Sequence, residues 1–112
     1  MLTINKVVIA GNLGKTPGLR NVNGKDVCAI DVATNGYRGK GDEREQITEW
    51  HRVVLWGQFA QFAAEHLSKG ANVYIEGRLQ SRKWQDKEGK DQYITEIIAE
   101  EFQAISRGGN DK

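Results

Sequence analysis

The hydrophobic residues of this chain first alternate with a strand-like period, then switch once to a helical period, and finally return to alternation. Stretches rich in branched apolar residues predict three β-strands before the switch, at residues 4–10, 27–34 and 47–56. Asn23-Gly24 lies between the first two and predicts a two-residue hairpin turn, because both residues tolerate positive φ. A chain of 112 residues in this order has room for one domain around one core.

The helical segment is short and has one apolar face. Its members fall at i, i+3, i+4, i+7 and i+8, and they are Phe59, Phe62, Ala63, His66 and Leu67. Gly70 predicts the stop of this helix. Two more strands follow at residues 73–79 and 92–102, and a protruding hairpin with a polar turn at residues 85–90 joins them. Three glycines and dense charge predict a flexible loop at residues 36–45.

Three strands, one helix and two strands is the order of the oligonucleotide-binding fold, a five-stranded Greek-key barrel. We therefore predict an all-β barrel over residues 1–105, with one short α-helix between the third and fourth strands. The polar tail at residues 106–112 is expected to be disordered. This fold serves several functions, so the function must be argued from individual residues.

Composition narrows the class of protein. Sixteen Lys and Arg against fifteen Asp and Glu leave a net charge of +1, so any polyanion must be held by a local patch. A hydrophobic content of 38% with 28% charged residues indicates a soluble globular protein, and we see no signal peptide or membrane segment. The one cysteine, Cys28, lies in an apolar run, which predicts a buried, inert thiol and a cytoplasmic location.

Alternation divides the third strand into two unlike faces. The aromatic and basic face carries Trp50, Arg52, Val54 and Trp56. Single-stranded nucleic acid suits such a face, because flat rings stack on unpaired bases and guanidinium groups contact phosphates. For Trp56 a place in the core is an equally good interpretation, since tryptophan is highly buried on average. Trp50 lies between Glu49 and His51, which favours exposure.

The fourth strand and its hairpin repeat this combination. If the strand continues unbroken, two rings and two guanidinium groups share one face, namely Tyr74, Arg78, Arg82 and Trp84. Trp84 lies near a hydrophilic tip, where a role in the core has little support. Tyr37 and Arg38 in the glycine-rich loop offer a third aromatic and basic site, although a loop tyrosine can also cap a barrel end.

Patterns typical of enzymes are weak. His51 and His66 have no metal-ligand spacing to Cys28, so we expect no metal and no cofactor. The glycines form no phosphate-binding loop, and no serine nucleophile elbow is present. A barrel-fold nuclease that uses Asp26 and Asp31 with an arginine stays open as an alternative, but the acids are not clustered as metal ligands would be.

Four segments of the chain carry a resemblance to a known family, and they are NKVVIAGNLGKTPGLR at residues 5–20, TEWHRVVLWG at 48–57, HLSKGANVYIEGRLQSRKW at 66–84 and YITEIIAEEF at 93–102. Together they resemble the family of bacterial single-stranded-DNA-binding proteins of replication and repair. The resemblance covers nearly the whole chain to about residue 105. It implies an oligonucleotide-binding barrel that assembles as a homotetramer, wraps single-stranded DNA without sequence preference and has no enzymatic activity.

The resemblance also implies roles for individual residues. Its base-stacking aromatics fall on Tyr37, Trp50, Trp56 and Trp84. Its basic contacts to the DNA backbone fall on Lys6, Arg20, Arg52, Lys69 and Arg82. His51 matches a histidine at the subunit interface of the family, while Gln58 stands where lysine is common.

Partner recruitment in the resembling family depends on a flexible linker and a short acidic tip, and this sequence ends at Lys112 with neither. We expect replication and repair proteins as partners only if a longer natural chain carries such a tail. A second class of function also stays open: an accessory subunit of replication restart with the same fold, whose tryptophans bind protein. Indifference to single-stranded DNA would favour that alternative.

Overall fold

The computed structural model describes residues 1–109, which form a barrel of β-strands with one α-helix. The strands are β1 (Val7–Leu13), β2 (Arg20–Val22), β3 (Lys25–Arg38), β4 (Glu45–Trp56), β5 (Asn72–Gln85) and β6 (Asp91–Ala104), and the helix α1 spans Gln58–His66. Five of these strands and the helix were predicted. The sixth, β2, is a three-residue strand that pairs only with β3 and extends the barrel at its edge.

The strands pair in the order β1-β5-β6-β4-β3-β2, and a contact between β1 and β3 closes the barrel. The other junction that completes the ring, between β4 and β6, is parallel and has only two residue pairs, Val53 with Ile97 and Val54 with Ile98. All remaining pairings are antiparallel. The predicted five-stranded oligonucleotide-binding barrel is therefore confirmed, with its helix between β4 and β5.

Glycine allows the β1–β3 closure. A Cβ atom on Gly11 would lie 2.0 Å from the carbonyl oxygen of Ala33, a distance that no side chain can occupy. The two backbones therefore approach each other here because Gly11 carries no side chain. The Asn23-Gly24 turn is also confirmed, with φ of 52° and 85°, and it joins β2 to β3.

Three strand boundaries differ from the sequence prediction. The segment predicted as a flexible loop is shorter than expected, because β3 continues to Arg38 and β4 begins at Glu45, and a 3-10 turn at Gly41–Glu43 lies between them. Both faces of this ribbon are exposed, so hydrophobic alternation gives no signal there. The first strand begins at Val7 rather than residue 4, and the side chain of Asn5 continues its ladder by exchanging two 2.9 Å hydrogen bonds with the backbone of Leu79.

The core is made of inward-facing strand residues and one face of α1. Its members include Leu13, Cys28, Ile30, Val32, Val53, Leu55, Ala60, Ala63, Leu67, Val73, Ile75 and Phe102. The predicted burial of Cys28 is confirmed, and burial raises the pKa of its thiol despite an opposing hydrogen bond from the backbone of Gly18. A thiol with a raised pKa is a poor nucleophile at neutral pH.

Residues 106–109 lie against the connection between α1 and β5. The carbonyl of Arg107 accepts a hydrogen bond from the Ser68 amide at 3.0 Å, and the Gly109 amide donates to Lys69 O at 3.0 Å. The rest of the tail predicted to be disordered, residues 110–112, lies outside the described residues. Within residues 1–109, no helix is long and apolar enough to cross a membrane.

Gly11→Ala is expected to lower the free energy of unfolding by about 1–3 kcal/mol or more, because the added methyl group forces β1 away from β3. Urea denaturation followed by far-UV circular dichroism measures this loss. Gly18→Ala is the matched control, since a Cβ there meets no atom within 4 Å. Equal stability of the Gly11 and Gly18 variants would show that this closure does not depend on a glycine.

Candidate nucleic-acid interface

The outer face of β4 carries the aromatic and basic side chains that alternation predicted. Trp50 and Trp56 are 58% and 40% exposed, whereas Val53 and Leu55 on the other face are fully buried. The interpretation of Trp56 as a core residue is therefore wrong. Its indole lies outside the barrel because the preceding residue, Leu55, faces the core and side chains alternate along the strand.

Strand register builds a groove beside Trp56. Cross-strand partners share a face of a sheet, and the register aligns Trp56 with Val27, and Val27 with Arg20. The resulting open groove has a volume of about 340 Å³. Apolar side chains form part of its lining, and these are Val22, Val27, Ala29, Val54 and Ile98. Aromatic, basic and polar side chains complete it, and these are Trp56, Arg20, Arg52, Arg82, Gln80 and Glu96.

A buried carboxylate lies between two arginines of the groove. Glu96 is only 5% exposed and accepts a hydrogen bond from Arg52 Nε at 2.7 Å. It also accepts two from Arg82, from Nε at 3.0 Å and from Nη2 at 3.3 Å. Burial raises the pKa of Glu96, but the hydrogen bonds and charges of both arginines lower it more, so the net shift is downward.

Sequence reasoning missed Glu96. It lies on β6, which runs between β4 and β5, so one carboxylate connects the arginines of both neighbouring strands. The available signal was a charged residue directly before the apolar pair Ile97-Ile98 in a predicted strand. Its partners could not be identified, because they depend on which strands are neighbours in the barrel.

The β5–β6 hairpin carries Trp84 on the predicted face. Each β5 residue from Tyr74 to Trp84 has a partner on β6, and the one register shift, between Glu76 and Gly77, leaves the extra residue, Glu100, on β6. The indole of Trp84 is 45% exposed. On the same face, Arg78 is paired with Glu100 at 3.1 Å.

The predicted phosphate contacts separate into two groups. Arg20, Arg52 and Arg82 line the groove together. Lys6 and Lys69 do not line the groove. Lys6 Nζ lies 3.2 Å from the carboxylate of Glu76. Lys69 lies in the connection between α1 and β5, where its backbone amide donates a hydrogen bond to the hydroxyl of Thr16.

Tyr37 lies at the exposed end of the β3–β4 ribbon, and the Arg44 guanidinium stacks on its ring at 4.3 Å from the centroid. Arg44 was not predicted as a site residue. The 3-10 turn at Gly41–Glu43 brings it back over the ring, and Gly39 and Gly41 adopt the positive φ that this turn requires. A cation held on the ring face restrains the orientation of Tyr37.

His51 faces away from the two tryptophans of β4, as alternation predicted. It is half-buried, and its Nε2 lies 2.8 Å from the hydroxyl of Thr34. Its position at a subunit interface stays a prediction.

Asp26 and Asp31, the acids of the nuclease alternative, each contact other polar side chains. Asp26 accepts hydrogen bonds from the amides of Gln61 at 2.7 Å and Asn21 at 3.2 Å, which lower its pKa. Asp31 is paired with Lys15 at 3.7 Å. Among residues 1–109, no group of three or more His, Cys, Asp or Glu side chains could hold a metal ion.

Comparison with known proteins decides the family. A sequence model described as the single-strand binding protein family matches residues 4–105. The chain belongs to the single-strand binding protein family. Its structure is also similar to one described as the Plasmodium falciparum SSB complex with ssDNA, with a TM-score of 0.79 and 30% sequence identity, covering 95% of this chain and 96% of that one. The predicted resemblance is confirmed for family and fold, and its bacterial character stays a prediction.

Glu96→Gln is expected to destabilise the protein by about 1.5–3 kcal/mol at neutral pH, the range for hydrogen bonds to charged groups. Because the pKa of Glu96 is lowered in the fold, its stabilisation is present above the unfolded pKa. It is lost as the pH falls through the lower folded pKa. Urea denaturation between pH 7 and pH 3 measures the difference from the parent, which should shrink on acidification.

Glu65→Gln is the control for Glu96→Gln, because Glu65 is an exposed residue of α1 that lies beside the adjacent His66. It removes the same charge without breaking the contacts to Arg52 and Arg82. A Glu96 variant as stable as the Glu65 variant at neutral pH would contradict a stabilising role for this carboxylate.

Proposed function

We propose that this chain binds single-stranded DNA without sequence preference and thereby protects it and removes its secondary structure during replication, recombination and repair. No chemical step is part of this proposal. The observation that supports it most is the groove beside Trp56, where this exposed indole and three arginines from three strands lie together. The similar Plasmodium falciparum protein in complex with single-stranded DNA supports the same function. We further propose a cytoplasmic location, which the lone buried cysteine supports.

Exposed rings supply the part of binding that needs unpaired bases. Trp50 and Trp56 are six residues apart on β4, a separation of about 20 Å along an extended strand, so they can stack on different bases. Trp84 presents a third indole from the hairpin, and Tyr37 a phenol ring from the ribbon. Every base has a flat face, so stacking accepts any sequence but excludes a duplex, whose bases already stack on each other.

Arginines supply contacts to the phosphates. Arg52 bonds Glu96 through Nε alone, and in the described part of the chain its two terminal nitrogens have no other hydrogen-bond partner, so they can donate to a phosphate. Glu96 offsets one of the two positive charges of Arg52 and Arg82. The groove therefore combines oriented donors with a modest net charge, in keeping with the net charge of +1 for the whole chain.

Assembly into a homotetramer is part of the proposal. In the single chain, β1 pairs with β5 from Val7 to Asn12 but with β3 only at Asn12 and Leu13, so one edge of its first half has no strand partner among residues 1–109. Val8 on this strand is also half-exposed. Copies of the chain would cover such an edge, and we propose that His51 lies at a subunit contact. Recruitment of replication and repair proteins is proposed only for a natural chain that carries an acidic tail.

Removing one ring should weaken binding of oligo(dT) measurably. Trp50→Ala and Trp84→Ala are each expected to cost about 1–3 kcal/mol, the range for a base–aromatic stack in proteins of this kind, this family included. Fluorescence anisotropy of a labelled oligo(dT) measures the dissociation constants. Tyr93→Ala is the control, because this exposed ring lies on the hairpin face opposite Trp84. If both folded tryptophan variants bound like the parent, stacking would not be the basis of affinity.

Arg52→Gln should reduce the salt dependence of binding. Each phosphate contact to a single strand contributes about 0.7 to the slope of log K against log salt, through counterion release. The variant slope should therefore be flatter than the parent slope by about 0.7. Titrations at four salt concentrations give both slopes, and identical slopes would remove Arg52 from the phosphate contacts.

Sedimentation velocity at micromolar concentration should show the parent protein as a tetramer. His51→Lys should shift the distribution toward smaller species, because a charged side chain is costly to bury at a subunit contact. A monomeric parent would refute the proposed assembly. A parent that assembles but ignores single-stranded DNA would favour the accessory-subunit alternative.

A further inference from the structure

The indole of Trp50 lies directly on the backbone of Gly14. A Cβ atom added to Gly14 would be 2.5 Å from Cζ3 of Trp50 and 2.7 Å from Cη2. Both distances are far below van der Waals contact, so alanine and the present position of the ring are incompatible. The φ of Gly14 is not in the positive range, which means that its backbone conformation does not itself require glycine.

The backbone around Gly14 is anchored and cannot easily move away from the ring. The Gly14 amide donates to the carbonyl of Asp31 at 3.0 Å. Leu13 is held from the other side, because its amide donates to Ala71 O and its carbonyl accepts from Gly70, both at 2.9 Å. Leu13 is also part of the core. A side chain at position 14 must therefore be accommodated by the ring.

The ring, in contrast, has room to move. Trp50 is more than half exposed, and its partner on β3 is the small residue Ala33. A methyl group at position 14 would push the six-membered end of the indole outward or tilt it. Either change alters the face that the ring presents to a base while leaving the barrel intact.

We propose that Gly14 is a positioning residue for Trp50. Because Gly14 has no side chain, the indole can pack against its backbone, and this contact sets the orientation of the indole for stacking on a base. This inference rests on the proposed binding of single-stranded DNA. It assigns to Gly14 a role different from that of Gly11, where the atoms nearest to an added Cβ are backbone atoms of Ala33 and a methyl group of Val32.

A double-mutant cycle tests the proposal. Gly14→Ala should weaken oligo(dT) binding about three- to tenfold, a part of the loss expected for removing the whole ring. In the Trp50→Ala background the same change should have an effect below about twofold, because the residue through which Gly14 acts is gone. Gly18→Ala is the matched control in both backgrounds, since it adds the same methyl group where a Cβ meets no atom.

A second readout needs no DNA. The chain has three tryptophans, so Trp56→Phe and Trp84→Phe together leave Trp50 as the only one, and its emission can be excited selectively over that of tyrosine. In this background, Gly14→Ala should change the emission maximum and the acrylamide quenching of Trp50, and Gly18→Ala should not. If Gly14→Ala fails to fold, the parent decides instead: Trp50→Ala should shift the NMR resonances of Gly14 by loss of the ring current, and those of Gly18 far less.

The outcomes separate this inference from the proposed function. If the parent does not bind oligo(dT), the proposed function fails, while fluorescence and NMR still report whether Gly14 sets the orientation of the Trp50 ring. If the parent binds and Trp50→Ala weakens it, but Gly14→Ala binds like the parent, the positioning role is wrong. An equal loss from Gly14→Ala in both backgrounds overturns it as well, because Gly14 would then act independently of Trp50.

Discussion

The proposed binding face depends on one buried carboxylate. The junction where β4 meets β6 is parallel and has only two residue pairs, and Glu96 lies beside it with hydrogen bonds to Arg52 of β4 and Arg82 of β5. The same contacts that brace three strands also orient two guanidinium groups in the groove. Stability and binding geometry are therefore coupled at this point: without the acid, two adjacent cations would repel each other in the middle of the face.

Close packing against the backbone is the second constraint, and glycine meets it at three positions. Gly11 lets β1 reach β3, and Gly77 lets β5 approach β6, where a Cβ would lie 2.2 Å from the carbonyl oxygen of Ile98. Gly14 leaves space for a side chain, the indole of Trp50. The first two glycines allow strands to approach each other, and the third connects the barrel to the proposed function, because the loop after β1 supports a ring that belongs to β4.

Local sequence patterns predicted the helix, five of the six strands and the directions of their side chains. Contacts between residues far apart in the sequence could be identified only from the structure. Alternation along β4 correctly placed Trp50 and Arg52 opposite His51, since side-chain direction in a strand depends only on parity. The ion pair of Arg52 with Glu96 joins residues 44 positions apart, and Arg44 reaches Tyr37 through a turn with no hydrophobic period. Whether Trp56 is buried could not be decided from the sequence, because tryptophan is typical of both cores and stacking surfaces.

Preference for single-stranded over duplex DNA tests the account most directly, because stacking on exposed indoles requires free base faces and phosphate contacts alone do not. Intrinsic tryptophan fluorescence should be titrated with oligo(dT) and with a duplex of the same length at one fixed salt concentration. The account predicts saturable quenching by oligo(dT), with the duplex binding far more weakly and leaving the emission almost unchanged. Equal affinity and equal quenching for both DNAs, or no response to oligo(dT), would contradict it.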